Sequence, residues 1–186
     1  LWDQLMTKQE AQPQYVQALN RALEKLVRDP QAPRESLGAV RHQLGNHAMH
    51  ALHQPVYARA YHQAAVRDMP MQLDYWGAYL LAEPPPSRLD AAEELGRQVA
   101  TQPDAALPPV LRPLGGLPEL TPEQFAQWAR TVAGAAWEGT QGHSAEDVNQ
   151  QLGWLAELLL QALDQKILPD AVRGEVLVYA GSTLLD

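Results

Sequence analysis

The sequence predicts an all-α fold, an irregular bundle of about eight helices with a long proline-rich central loop. Three observations predict this fold. In most segments apolar residues recur every three or four positions, which is the spacing of one helix face. Alanine and leucine carry the apolar content, whereas isoleucine and phenylalanine each occur once, and this disfavours an extensive sheet. Prolines stand between the periodic segments, where they end helices.

The first half of the chain contains five such segments, each ending at a proline. The expected helices are 1–11, 13–29, 37–54, 56–69 and 71–83. Pro13 is acceptable in a first helical turn, and Ser36 can cap the helix that follows it. The segment 71–83 has no clear two-residue alternation, so a helix is expected there as well.

The second half continues the pattern after an irregular stretch. The expected helices are 88–101, 122–138, 145–168 and 170–185, with a short strand over 175–180 as an alternative for part of the last one. Ser87, Thr121 and Ser144 each precede an acidic or amide residue at the spacing of a capping box. Between these helices the segment 102–121 contains five prolines, and its leucines and valine indicate that it packs onto the fold.

The domain organisation follows from this central segment. We predict a single helical domain over residues 1–186, with a possible subdivision into 1–101 and 122–186 joined by 102–121. The segment is either a linker or a functional loop. Because Leu1 is not a methionine, we expect a fragment of a longer product or a processed chain. The compartment stays open, with the cytoplasm favoured.

Composition excludes several classes of function. The chain has no cysteine, which removes disulfides, zinc–thiolate sites and thiol nucleophiles. The formal charge is -8, and no basic run is present, so nucleic acid is not an expected partner. No apolar run is long enough to span a membrane. The preference for Ala, Leu, Gln, Pro and Arg over Lys, Ile and Phe favours a bacterial source.

Five of the six histidines lie within 42–62, four of them in the stretch HQLGNHAMHALH. At 100° per residue, Leu37, Leu44 and Ala48 define the core side of this helix, whereas His42 and His53 point to the opposite side. The favoured interpretation is therefore the solvated outer face of an amphipathic helix.

A metal site is the first alternative for this cluster. His47, His50 and His53 follow one another at i,i+3 spacing, which can place two imidazoles on one ion, and His62 could complete the set. The protein would then be a small helical metal-binding protein or a metal-dependent enzyme that uses a transition metal.

Two further alternatives use single imidazoles. The residues 42–46, His-Gln-Leu-Gly-Asn, resemble the His-x-Leu-Lys-Gly core of histidine phosphotransfer domains. The resemblance implies that His42 accepts a phosphoryl group, although Gly45 stands where that family has its lysine. A pH switch needs only that several imidazoles face the acidic second half of the chain.

No nucleophile elbow or phosphate-binding loop is present, so catalysis is not the favoured expectation. Trp76, Tyr79, Trp128 and Trp137 are the candidate interaction residues, because aromatic side chains are enriched at protein interfaces. The sequence thus predicts a non-catalytic helical interaction or scaffolding domain of a larger bacterial protein or assembly. Its expected partner is another protein, no cofactor is expected outside the metal alternative, and the oligomeric state is left open.

Overall fold

A computed structural model describes residues 13–102, 106–113, 119–140, 145–165 and 168–184. These residues form eight α-helices and contain no strand, which confirms the all-α prediction. The chain divides into two compact units, the first ending at Glu83 and the second beginning at Pro84. None of the described helices is long and apolar enough to cross a membrane.

The described residues of the first unit form four α-helices and one π-helical turn. They are α1 (Pro13–Arg28), α2 (Arg34–Asn46), the π turn (His47–Ala51), α3 (Pro55–Asp68) and α4 (Leu73–Leu81). Helix α2 packs against both α1 and α3, and α3 packs against α4. Helix α3 begins at Pro55, one residue before the predicted start, because proline lacks the N–H that the first helical turn leaves unpaired. The prediction for Ser36 is wrong, because α2 begins at Arg34 with Pro33 at its cap position.

In the part of the second unit that the structure describes, the chain forms four α-helices and a short 3₁₀ turn. They are the 3₁₀ turn (Pro85–Ser87), α5 (Arg88–Ala100), α6 (Pro122–Thr140), α7 (Ala145–Gln165) and α8 (Asp170–Leu184). Helices α6, α7 and α8 pack against one another, and α5 packs against α7. The last segment is helical, so the alternative of a strand over 175–180 is wrong.

Two helix starts in this unit differ in where their caps come from. Thr121 and Gln124 form the predicted capping box: the Thr121 N–H donates to Gln124 Oε1 at 2.8 Å, and the Gln124 N–H donates to Thr121 Oγ1 at 3.3 Å. At α5, however, Ser87 makes no side-chain cap and donates its hydroxyl to Pro84 O instead. The Leu89 N–H donates to Gln161 Oε1 of α7 at 3.0 Å, so a distant helix supplies this cap.

The described part of the proline-rich segment, residues 106–113, packs within the second unit. Leu107, Val110 and Leu111 are buried, and the Trp128 Nε1–H donates to Val110 O at 2.7 Å. For these three residues, this confirms the expectation that the apolar side chains of the segment pack onto the fold. The subdivision into 1–101 and 122–186 is not tested by this packing and stays a prediction. Ser144 and its predicted cap lie outside the described residues.

Candidate functional site

Helix α2 carries part of the histidine cluster and has neighbours on two sides. One face, with Gly38, His42 and Gly45, packs against α3 and the start of α4. The other face, with Leu44, continues through the π turn to Ala48 on the side that approaches α1. Because both sides are covered, the interpretation as a solvated outer face is wrong for part of the cluster.

The His62 ring lies directly on the backbone of Gly45. A Cβ atom at residue 45 would stand 2.5 Å from His62 Cε1 and 2.7 Å from each ring nitrogen. Real Cβ atoms do not approach other heavy atoms this closely, so only glycine permits the ring to occupy this position. His62 is 1% exposed, and its Nδ1 has no hydrogen-bond partner. Burial, followed by the nearby charges of His42 and His50, lowers the pKa of His62 to about 3.

His42 extends this contact towards α4. Its ring centroid lies 5.1 Å from that of His62 and 4.5 Å from that of Tyr75, on which it stacks with an interplanar angle of 22°. The Asn46 side-chain amide donates to His42 Nε2 at 3.2 Å. Burial lowers the pKa of His42, and the negative charge of Asp74 partly offsets this effect. The two histidines are therefore neutral aromatic groups that fill a helix crossing at neutral pH.

The chain leaves α2 through a π-helical turn, a local feature that is common at functional sites. The Leu52 N–H donates to His47 O at 3.2 Å, and the Gln54 N–H then folds back to Ala48 O at 2.8 Å. His53 takes a left-handed backbone conformation with φ of 53°, which a non-glycine residue adopts rarely. This reversal places the first turn of α3 against the π turn.

A cleft of about 270 Å³ opens where these segments meet. We call it the His47 cleft, and its lining residues come from α1, α2, the π turn and the start of α3: Val16, Asn20, Leu44, His47, Ala48, Leu52, Gln54, Tyr57 and Tyr61. His47 is 8% exposed, and its Nδ1 is shielded from solvent and has no hydrogen-bond partner.

Exposed apolar side chains border this cleft. Leu52 is 51% exposed, Val56 66% and Tyr57 62%, and these three residues define what we call the 52–57 patch. Behind the patch, the small side chains of Ala48 and Ala58 pack in one buried cluster. The backbone that carries the patch is therefore held in place by buried side chains. This limits the conformational entropy that the patch would lose when a partner binds.

Comparison with known proteins gives no family. No family model, curated protein or solved structure matches the chain.

The four candidate metal ligands do not form one group. His47 and His62 are buried, whereas His50 and His53 are exposed. Among the residues that the structure describes, no group of three or more His, Asp or Glu side chains could hold a metal ion. The metal site stays a prediction that a direct binding measurement would have to test.

Three of the four candidate interaction residues lie inside the units. Trp76 is fully buried and donates its Nε1–H to Pro70 O at 2.8 Å; Tyr79 and Trp128 are buried as well. The side chain of Trp137 lies outside the described part of the structure. Their role as partner contacts stays a prediction, and a docking surface is better sought at exposed apolar residues.

Neither the 52–57 patch nor the role of Gly45 was predicted from the sequence. One signal was available for the glycine: Gly38 and Gly45 are seven residues apart, so they lie on the same helix face and indicate a close approach there. The patch had no comparable signal, because Leu52, Val56 and Tyr57 fit the apolar spacing of ordinary core positions.

Proposed function

We propose that the protein is a non-catalytic helical interaction or scaffolding domain that binds another protein through the 52–57 patch. The observation that carries the proposal is the exposure of three large apolar side chains within six residues, at the junction between the π turn and α3. Exposed apolar patches beside a concave surface are typical of docking sites. A larger bacterial protein or assembly would supply the context of such a domain.

The patch combines residues that suit a protein interface. Tyr57 offers a large ring with a hydroxyl, a side chain that is common among the residues that dominate binding energy. Next to it, Arg59 donates to both carboxylate oxygens of the buried Glu83, at 3.2 and 3.0 Å, which holds this part of α3 against the end of α4. A fixed apolar surface binds with a smaller entropic cost than a mobile one.

Neither alternative use of the histidines has an observation that favours it over this proposal. The metal alternative would require His50 and His53 to meet buried imidazoles. The phosphotransfer alternative would require an accessible nitrogen on His42, whose ring stacks on Tyr75 and accepts a hydrogen bond from Asn46.

Site-specific photo-crosslinking in the native cells tests the proposal. A benzophenone side chain at Tyr57 is expected to capture one predominant protein. The same group at Val27, an equally exposed apolar position of α1, serves as the control and is not expected to capture that protein.

Loss of affinity provides the second half of this test. Val56→Ser is expected to weaken binding of the captured partner at least about tenfold, because it removes an apolar contact that becomes buried in the complex. Val27→Ser is expected to leave that affinity unchanged. Identical crosslinks from both positions, or none from Tyr57, would contradict the proposal.

A further inference from the structure

The His47 cleft has a lining whose chemistry narrows the ligands that it can take. Its polar members are Asn20, His47, Gln54, Tyr57 and Tyr61, and none of its lining residues is a carboxylate, a lysine or an arginine. A divalent cation needs several anionic or imidazole ligands, and the cleft offers one imidazole. A phosphate dianion calls for arginine, lysine or a glycine-rich loop, which the lining lacks.

The lining is compatible with small molecules that are neutral or carry a single negative charge. Two independent features favour a ligand with one negative charge. The first is His47, a lining residue that is more than nine-tenths buried and whose Nδ1 is unpartnered. Because Nδ1 is shielded and has no partner that fixes the tautomer, the ring can present its N–H from Nε2.

The second feature is the start of α3 at the edge of the cleft. This helix has 14 residues, and no side chain caps its first turn, although Gln54 occupies the cap position. Gln54 and Tyr57, which flank that turn, both line the cleft. The unpaired N–H groups and the positive end of a helix dipole attract a carboxylate.

The rest of the wall is hydrocarbon. Val16, Leu44, Ala48 and Leu52 line the cleft together with the rings of the two tyrosines. A volume of about 270 Å³ lies just below the usual range for drug-sized ligands, so a small molecule fits better than a nucleotide.

We propose that the His47 cleft binds a small apolar monocarboxylate, with its carboxylate at His47 and the first turn of α3. The hydrocarbon part of the ligand packs on Val16, Leu44 and Leu52. Because the 52–57 patch shares Leu52 and Tyr57 with the cleft, such a ligand would change the surface that a protein partner meets. The binding itself requires no partner.

Sodium phenylacetate is the probe that tests this site, with the neutral phenylacetamide as its isosteric control. In amide and imidazole NMR spectra of the full chain, phenylacetate is expected to cause saturable shifts at His47 and at residues 52–57. It is expected to bind at least about tenfold more tightly than phenylacetamide, since the charge interacts with the helix start and the imidazole.

A pair of charge variants keeps the test independent of folding defects at the buried His47. Gln54→Glu adds a negative charge at the cleft and should weaken phenylacetate binding at least about tenfold while sparing phenylacetamide. Gln72→Glu makes the same change at the exposed cap position of α4 and should leave both affinities unchanged. Equal affinities for the two probes, shifts centred elsewhere, or no shift at any soluble concentration would overturn the proposal.

Discussion

The interiors of the two units are built from different chemistry. In the first unit the crossing of α2 and α3 is filled by the imidazole rings of His42 and His62. His47 and Glu83 are buried elsewhere in the same unit. In the second unit the described core consists of leucine, valine, alanine and aromatic side chains, and Arg88, paired with Glu157, is its buried charged residue. An imidazole changes its charge between pH 5 and 8, whereas an arginine does not. The stability of the first unit should therefore be more sensitive to acid than that of the second. The close contact of His62 with Gly45 should also make the first unit more sensitive to an added methyl group.

The largest expected effect is at the glycine beneath His62. Gly45→Ala would place a Cβ within 2.7 Å of the imidazole ring and should lower the free energy of unfolding by about 3 kcal/mol through overpacking. Gly174→Ala, in α8 of the second unit, is the control: no atom lies within 4 Å of the new Cβ. It should raise stability by about 0.5 kcal/mol, because alanine favours the helix. Chemical denaturation measures both.

Combining Gly45→Ala with His62→Ala distinguishes a steric clash with the His62 ring from a general loss of helix stability. In a His62→Ala background the ring is gone, so Gly45→Ala should then cost little or become favourable. An equal cost in both backgrounds would show that the close contact between residues 45 and 62 is not the cause.

Acid is expected to have the next largest effect. The pKa of His62 is about 3 in the fold and about 6.5 when unfolded, so the unfolded chain binds the proton more tightly. The stability that the neutral ring provides is complete above pH 6.5 and is lost as pH falls from 6.5 towards 3. Between pH 7 and pH 5 this loss should amount to about 2 kcal/mol. His42, whose pKa is also lowered, adds to it in the same direction.

Denaturation curves of the wild-type protein and of His62→Gln at a series of pH values check this expectation. The variant is less stable at pH 7 because it loses ring packing, but its stability should fall less steeply between pH 7 and pH 5. Parallel slopes for the two proteins would mean that His62 is not the group that carries the acid sensitivity.

The smallest expected effect concerns the exposed histidine of the reversal. His53 has a φ of 53°, a conformation that glycine adopts without strain. His53→Gly should therefore raise the free energy of unfolding by up to about 1 kcal/mol, the cost of a strained backbone residue less the entropy that glycine adds to the unfolded chain. Thermal and chemical denaturation detect the gain. If a transition metal stabilised the wild-type protein and His53→Gly abolished that stabilisation, the result would instead favour the metal alternative.

The parts of the fold that local chemistry determines could be predicted from the sequence. Apolar spacing and prolines located the helices, and the Thr121–Gln124 capping box formed because both partners lie within one turn. The cap at α5 could not be predicted, because Gln161 supplies it from 72 positions away. Local patterns also gave no sign that α2 is covered on two sides, and for this reason the solvent exposure predicted for the His42 side of the helix was wrong.

The candidate site depends even more on distant contacts. His62 and Gly45 meet only because α2 and α3 cross at the glycine, and the His47 cleft combines side chains from three helices and the π turn. A regular 100° helical wheel also fails beyond Asn46, because the π turn changes the angle between successive residues. The burial of His47 and the exposure of the 52–57 patch follow from tertiary structure and have no local signature.

The histidine cluster is divided into buried rings, among them His62, and exposed rings, His50 and His53. The most direct test of this division is an NMR titration of the imidazole Cε1–H signals. The signal of His62 is assigned from its absence in the spectrum of His62→Gln. Buried against Gly45, His62 should show no titration between pH 8 and pH 5 while the fold is intact. A midpoint near the ordinary value of about 6.5 would contradict the account, because it would place the ring in water rather than in the helix crossing.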